Sequence, residues 1–255
     1  MRTWFGFWRK RRYYLNKMTF RELVVAYFQY YAIQVYLLLG ILTAVGAIWT
    51  MESPLPLIAA AVAAVLVYPL VWYLLHRFIL HGRFLFRSPL TAKLWKRIHF
   101  DHHQDPHNLE VLFGALYTTL PTIIAVTGPI GWWIGELPGA LAGTAAGLFT
   151  TCVYEFCHCV QHLSYKPKSK FLRRIKRLHM AHHFHNEQGN FGITNYWWDR
   201  LFGSFYETTD DVPYSDTVFN LGYTEKEAER FPWVARLSET PVDITPRERR
   251  QQLIS

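Results

Sequence analysis

Charge is scarce in this chain: Asp, Glu, Lys and Arg make up 18% of its 255 residues, where soluble domains carry roughly 25%. Cysteine is scarcer still. Cys152, Cys157 and Cys159 are the only three, they share one apolar stretch, and they form no C-x-x-C pair. A disulfide framework and a cysteine zinc ribbon are thereby excluded, and the thiols read as reduced packing residues. There is no glycine-rich phosphate loop, no low-complexity segment and no cleavable signal. The N-terminal MRTWFGFWRKRRYYLNK has neither an apolar core of signal length nor a small-residue cleavage site. Its mixture of aromatics and arginine suits a lipid headgroup region instead. Lys and Arg are absent from two long stretches, between Arg21 and Arg77 and between Arg97 and Lys166. The net charge of +8 would permit nucleic-acid binding, but it is confined to blocks between apolar runs, a membrane-topology pattern, and no nucleic-acid partner is expected.

What fills the gaps is apolar sequence. A helical pattern over 18–30 leads into an uncharged run at 31–50, long enough to cross a ~30 Å hydrocarbon core. Glu52, Pro54 and Pro56 break the chain, and a second run covers 57–75. A third run at 111–134 is interrupted by Pro121, Gly128, Pro129 and Gly131, reading as a kinked span or a span with a re-entrant piece. Gly135-Glu-Leu-Pro-Gly139 marks a turn, and a fourth run at 140–160 carries Glu155 near its end. Seven Lys and Arg precede the first run, six lie between the second and third, and seven sit from Lys166 to Arg177. The two other connections hold only Glu52 and Glu136. Both termini are therefore expected in the cytoplasm. The fold class is all-α and polytopic, with about four transmembrane helices in two hairpins and a cytoplasmic helical cap. A single domain over 1–255 is expected. It comprises an interfacial segment at 1–30, a four-span region at 31–162 with a cytoplasmic loop at 76–110, and a cap and tail at 163–255. Beyond Gly203 the sequence is more soluble in character, with capping boxes at Thr224–Glu227 and Thr245–Glu248.

Ten of the twelve histidines fall into four groups: His76 and His81; His99, His102 and His103; His158 and His162; His179, His182 and His183. All lie on the expected cytoplasmic side or just inside it. On a helix, positions i, i+3 and i+4 share a face, so each H-x2-H-H group is expected to coordinate as a unit. His76 and His81, five apart, point about 140° apart on an ideal helix, so the second span must end or bend between them. Imidazole suits Zn, Cu, Fe and Ni, and ten ligands suit two ions. Paired metals beside an apolar body point to oxidative attack on an unactivated C–H bond, which needs a redox metal. A transporter would hold its ligands near the bilayer midplane; these gather at one face.

In order and spacing, these groups resemble the histidine boxes of the integral-membrane fatty acid hydroxylase/sterol desaturase superfamily. The likeness covers about 76–206, including NYWWDRLFGSFY at 195–206. Within the superfamily the spacing is most similar to that of the lipid fatty-acyl 2-hydroxylases. The resemblance implies a di-iron centre held by the ten histidines, O2 as co-substrate and a lipid substrate. Zinc would be a substitute in a purified or crystallised form. A fused cytochrome b5 domain, found in eukaryotic relatives, is not expected, so a separate donor such as a ferredoxin or a cytochrome b5-like protein is implied. The membrane would be a bacterial inner membrane or the endoplasmic reticulum. A sterol or carotenoid desaturase or hydroxylase of the same superfamily is the nearest alternative. Asp101, Glu155, Asn190 and Asp199 are candidate partners of imidazole N–H groups, with Glu155 foremost as an acid in an apolar run. His107 and His185 are candidates for orienting ligands. Trp197, Trp198 and Phe202 suit either substrate entry or interfacial anchoring.

Overall fold

A computed structural model describes residues 13–252; the first twelve residues of the expected interfacial segment lie outside them. The described residues form helices, with one isolated bridge between Tyr14 and Asn108. In chain order they are α1 (Phe20–Gln29), α2 (Tyr31–Thr50), α3 (Pro54–Leu74), α4 (Pro89–Trp95), α5 (Asp101–Gln104), α6 (Leu109–Leu112), α7 (Leu116–His162), α8 (Lys170–Phe184), α9 (Trp197–Leu201), α10 (Glu225–Arg230) and α11 (Pro246–Gln252). Three stretches are long and apolar enough to cross a membrane: Tyr31–Thr50, Pro54–Leu80 and Leu109–His162. Pro54, read from sequence as a breaker, opens α3, where a first-turn proline loses no hydrogen bond. Pro121 and Pro129 do not interrupt α7, as spans tolerate proline when neighbouring groups satisfy the freed backbone. α7 breaks instead at Gly135 (φ −155°, ψ 33°) and Glu136 (φ 50°, ψ −137°).

The chain forms two compact units. The first gathers 20–71 and 114–158. Here the two halves of α7 lie against each other in opposite directions. A Cβ at Gly131 would stand 2.2 Å from the Gly139 carbonyl oxygen, one at Gly143 2.8 Å from that of Thr127, and one at Gly147 2.7 Å from the Thr127 side chain. Small residues allow such approach where no hydrophobic force drives helices together. The outer face is apolar: Trp49 is 87% exposed and Trp133 89%. Inside, hydroxyls are matched to acceptors. Tyr27 donates to the Cys152 carbonyl and Tyr36 pairs with Thr119.

The second unit gathers 13–19, 72–113 and 159–252. Its main core packs Phe86, Trp95 and Phe100 with Leu221, Tyr223 and Val234. A smaller core joins Ile175 and Leu178 of α8 to Tyr196. The tail beyond Gly203 therefore supplies half of a core. Gln104 ties it down further, its Nε2 donating to the Phe219 and Val242 carbonyls at 2.7 and 3.0 Å. The capping box at Thr245 forms, with Thr245 N donating to Glu248 Oε2 at 2.8 Å and Glu248 N to Thr245 Oγ1 at 3.3 Å. Thr224 precedes α10 without a side-chain cap bond.

Candidate metal centre

α3 does not simply stop before His81. It passes into a π-helical turn over Leu75–Leu80, in which the His81 N–H donates to the His76 carbonyl at 3.0 Å. An i→i+5 bond widens the turn by one residue, so position i+5 stands where i+4 would on an α-helix. The two rings consequently meet, Nε2 to Nε2, at 3.2 Å. A second π-turn, Lys96–Phe100, leads into α5 and carries His99.

Two groups of imidazoles result. Ligand atoms of His76, His81, His99, His103 and His182 lie within 4.8 Å of one another, as do those of His102, His162, His179 and His183. His158 stands one turn before His162 on α7, at the i, i+4 spacing that shares a face. The expectation that each H-x2-H-H box acts as a unit is corrected. His102 leaves His99 and His103 for the second group, and His182 leaves His179 and His183 for the first. The reason is helical: positions i+3 and i+4 lie about 100° apart, so a helix between two centres sends one to each.

The first group is braced by backbone carbonyls. His76 Nδ1 donates to Phe191 O at 2.6 Å, His103 Nδ1 to Val218 O at 3.0 Å and His182 Nδ1 to Gly189 O at 2.7 Å. An Nδ1–H committed to a carbonyl makes Nε2 the acceptor nitrogen of the ring, the one that can ligate a metal. Burial and neighbouring imidazoles push His81, His99 and His183 well below the ordinary histidine range, which keeps them neutral. His183 is fully buried, and neither ring nitrogen has a hydrogen-bond partner. A buried imidazole left so is costly, and ligation of an ion removes that cost. Nitrogens about 2.1 Å from one ion and at right angles stand about 3 Å apart. The pairs His76–His81, His99–His81 and His162–His179 are separated by 3.2, 2.8 and 2.9 Å. The donor set therefore fits two ions.

The other sequence candidates have different duties. Asp199 is fully buried and accepts from Phe191 N, Gly192 N and Ser204 Oγ at 2.8 to 2.9 Å. It fixes the loop whose carbonyl meets His76, one step behind the ring. Burial raises its pKa to about 6. Asn190, at φ +54°, pairs with both backbone groups of Tyr206. His107 Nδ1 donates to the His162 carbonyl at 3.0 Å, bracing the backbone of a candidate ligand. His185 instead bonds Val212 O at 2.9 Å, and Asp101 pairs with Lys96 at 2.6 Å. Glu155 is buried in the first unit, beneath Gly114. Trp197 is 76% exposed, while Phe202 stacks between Trp198 and Tyr73.

Residues 61–204 match the profile of the family described as fatty acid hydroxylase. The ceramide very long chain fatty acid hydroxylase SCS7 of Saccharomyces cerevisiae is 33% identical over 148 residues, covering 55% of this chain and 36% of the yeast protein. A fatty acid 2-hydroxylase of Rattus norvegicus is 30% identical, over 55% of this chain and 38% of its own length. A beta-carotene hydroxylase of a Paracoccus strain is 32% identical, over 48% of this chain and 71% of that protein. Among solved structures, the hydroxylase domain of full-length Scs7p superposes with a TM-score of 0.61 at 29% identity, covering 74% of this chain and 69% of that one. The chain thus spans little more than a third of the yeast and rat proteins.

Proposed function

Because the chain belongs to the fatty acid hydroxylase family, we propose that it is a membrane-bound di-iron lipid hydroxylase. It inserts one oxygen atom from O2 into a C–H bond of a fatty-acyl chain. The reaction turns the C–H bond into C–OH, and two electrons and two protons carry the second oxygen atom to water. The observation that carries this reading is the pair of interlocked all-histidine groups. In the reading, His76, His81, His99, His103 and His182 hold one iron, and His102, His158, His162, His179 and His183 hold the other. Iron bound there supplies the one-electron and O2 chemistry that an unactivated C–H bond requires.

The protein's own part is positional. Three carbonyls aim the Nε2 atoms of His76, His103 and His182, and burial keeps the imidazoles neutral. Glu155, an acid one turn before His158, is a further candidate for bracing the second group. Four membrane crossings in two hairpins are supported by the Gly135–Glu136 break and the close approach of the two halves of α7. Cytoplasmic termini and a cytoplasmic centre are supported by the positions of Lys and Arg. Electrons would come from a ferredoxin or a cytochrome b5-like protein. The relatives named as 2-hydroxylases support attack at carbon 2 of the acyl chain. The Paracoccus likeness supports carotenoid ring hydroxylation as a second reading.

Untargeted lipid mass spectrometry of cells with and without the gene tests both readings. Acyl lipids heavier by about 16 Da (one oxygen atom) are expected, and they disappear in His103→Ala and His183→Ala. The same gain confined to carotenoids would favour the second reading. Full turnover in either variant would refute the assignment of the centre.

A further inference from the structure

The first histidine group is closed to a second protein: His76 is 1% exposed and His103 is fully buried. The reaction nevertheless draws two electrons from outside. A chain of bonds leads outward from the group. His76 Nδ1 donates to the Phe191 carbonyl at 2.6 Å, and the Phe191 N–H donates to Asp199 Oδ1 at 2.8 Å. Asp199 belongs to α9, whose outer side is open. There Trp197 is 76% exposed and Leu201 68%, and at i, i+4 they share a face. Two hydrogen bonds and one residue of backbone therefore join α9 to the first group.

Beside α9 stands a knot of charge. Glu207 receives Arg174 at two points, Nε to Oε1 at 3.1 Å and Nη2 to Oε2 at 2.6 Å, and it also pairs with Arg177 and, at 3.5 Å, with Arg200. Arg200 lies 3.7 Å over the Phe205 ring. Three guanidiniums around one carboxylate leave positive charge uncompensated, and all four side chains are 40 to 58% exposed. The small core of Ile175, Leu178 and Tyr196 holds α9 to α8, with the Tyr196 hydroxyl donating to the Ile175 carbonyl at 3.1 Å. Membrane topology accounts for cations in number but not for their convergence. A lipid surface asks only for separate charges, whereas guanidiniums held by a carboxylate and a ring present fixed forks to carboxylates on a partner. The patch is small, one stretch of α8 and the five residues of α9. Electron-carrier encounters have interfaces of that kind, and Trp and Arg are the side chains that most often anchor protein contacts.

Resting on the hydroxylase reading, we propose that the face built by α9 with Arg174, Arg177 and Arg200 is the docking site of a small acidic electron-carrier protein. At each encounter the carrier is oxidised by one electron, which passes by Asp199 and the Phe191 backbone to His76 and reduces the metal held there. Two encounters supply the two electrons of one turnover, and water supplies the two protons.

The test uses the full chain in phosphatidylcholine nanodiscs, with a [2Fe–2S] ferredoxin as the acidic probe and cytochrome c as a basic one. Binding to the metal-free protein is read by interferometry, and product from the loaded protein by mass spectrometry. The ferredoxin binds, more weakly as salt rises, and cytochrome c does not. Arg177→Glu and Arg200→Glu each weaken ferredoxin binding about tenfold or more. Lys226→Glu, the same charge change on α10, alters it less than about twofold. Glu207→Gln removes the one acid of the patch and speeds association severalfold, the opposite of what a cluster serving only the fold would give. In the loaded protein Arg177→Glu raises the KM for reduced ferredoxin more than it lowers kcat. Arg177→Gln, which removes the charge without reversing it, decides the matter if the glutamate variants fail to fold. No ferredoxin binding at low salt, equal effects of Arg177→Glu and Lys226→Glu, or slower association in Glu207→Gln overturns the proposal. Quenching of a fluorophore on Leu201→Cys by brominated lipid also overturns it, since the face would then rest in the membrane. Docking without any oxygenated product would refute the hydroxylase reading and leave the docking site standing. Product formation with an unaltered ferredoxin KM in Arg177→Glu would refute the docking site alone.

Discussion

Asp199 touches no histidine ring among the described residues, yet the orientation of His76 depends on it through the Phe191 backbone. Replacing it with alanine strips two buried N–H groups of their acceptor, at a cost of about 3 kcal/mol. The Asp199→Ala protein is expected to melt earlier and to hold less metal in its first group, measured by calorimetry and elemental analysis. The histidines set the pH response. Their folded-state pKa values lie well below the ordinary value of 6.5, so below pH 6.5 the unfolded chain takes up protons that the folded one refuses. Stability of the metal-free protein therefore falls as pH drops below 6.5, by up to about 1.4 kcal/mol per pH unit for each such histidine. The histidine contribution is level above that pH, and Asp199, whose raised pKa lets the folded chain take up a proton near pH 6, offsets about one histidine's share below it. Thermal melts in chelator from pH 8 to 5 would reveal this, and a flat profile would contradict it. At this scale the sequence named the imidazoles because chemistry marked them. The carbonyls of Gly189, Phe191 and Val218 were invisible, since any residue at those positions supplies the same atom.

The π-turn is the element on which the first group depends. Inserting one alanine after Ile79 would carry His81 one position further along the turn, rotating it and everything after it by about 100° relative to His76. The expected result is loss of the ion in the first group and retention of the second, so that elemental analysis falls from two metals per chain to one. The i, i+5 spacing announced in the sequence that an ordinary helix could not continue. What it could not announce was a wider turn in place of an end, because that choice lies in a backbone bond from His81 to His76. α5 and α8 gave the opposite error. Three histidines at i, i+3 and i+4 look like one face until two centres stand on either side of the helix.

For the molecule as a whole, the apolar runs and the Gly135–Gly139 turn signal were legible, because hydropathy and helix breaking are local. The role of the tail was not, since Leu221, Tyr223 and Val234 are scattered among polar residues and gain meaning only against Phe86 and Trp95. The packing of α7 on itself is testable through Gly131. Gly131→Leu would press a side chain into the backbone at Gly139 and is expected to destabilise the protein by about 3 kcal/mol or more, read by denaturation in detergent. Glu52→Cys and Glu136→Cys should both be labelled by an impermeant maleimide from the face opposite the metal centre; labelling of only one would reduce the count of crossings. The exchange of His102 and His182 between the two groups carries a consequence for assembly. His102 adjoins His103 in the chain, and His182 adjoins His183, yet each neighbour serves the other centre. An ion captured at one centre thereby fixes the backbone from which the second must be grasped. Occupancy of the two is expected to be thermodynamically linked, each ion raising affinity for the other by the same factor in either order, which titration with metal followed by elemental analysis would read. When iron is short, the population would divide into empty and doubly loaded molecules, with few carrying a single ion.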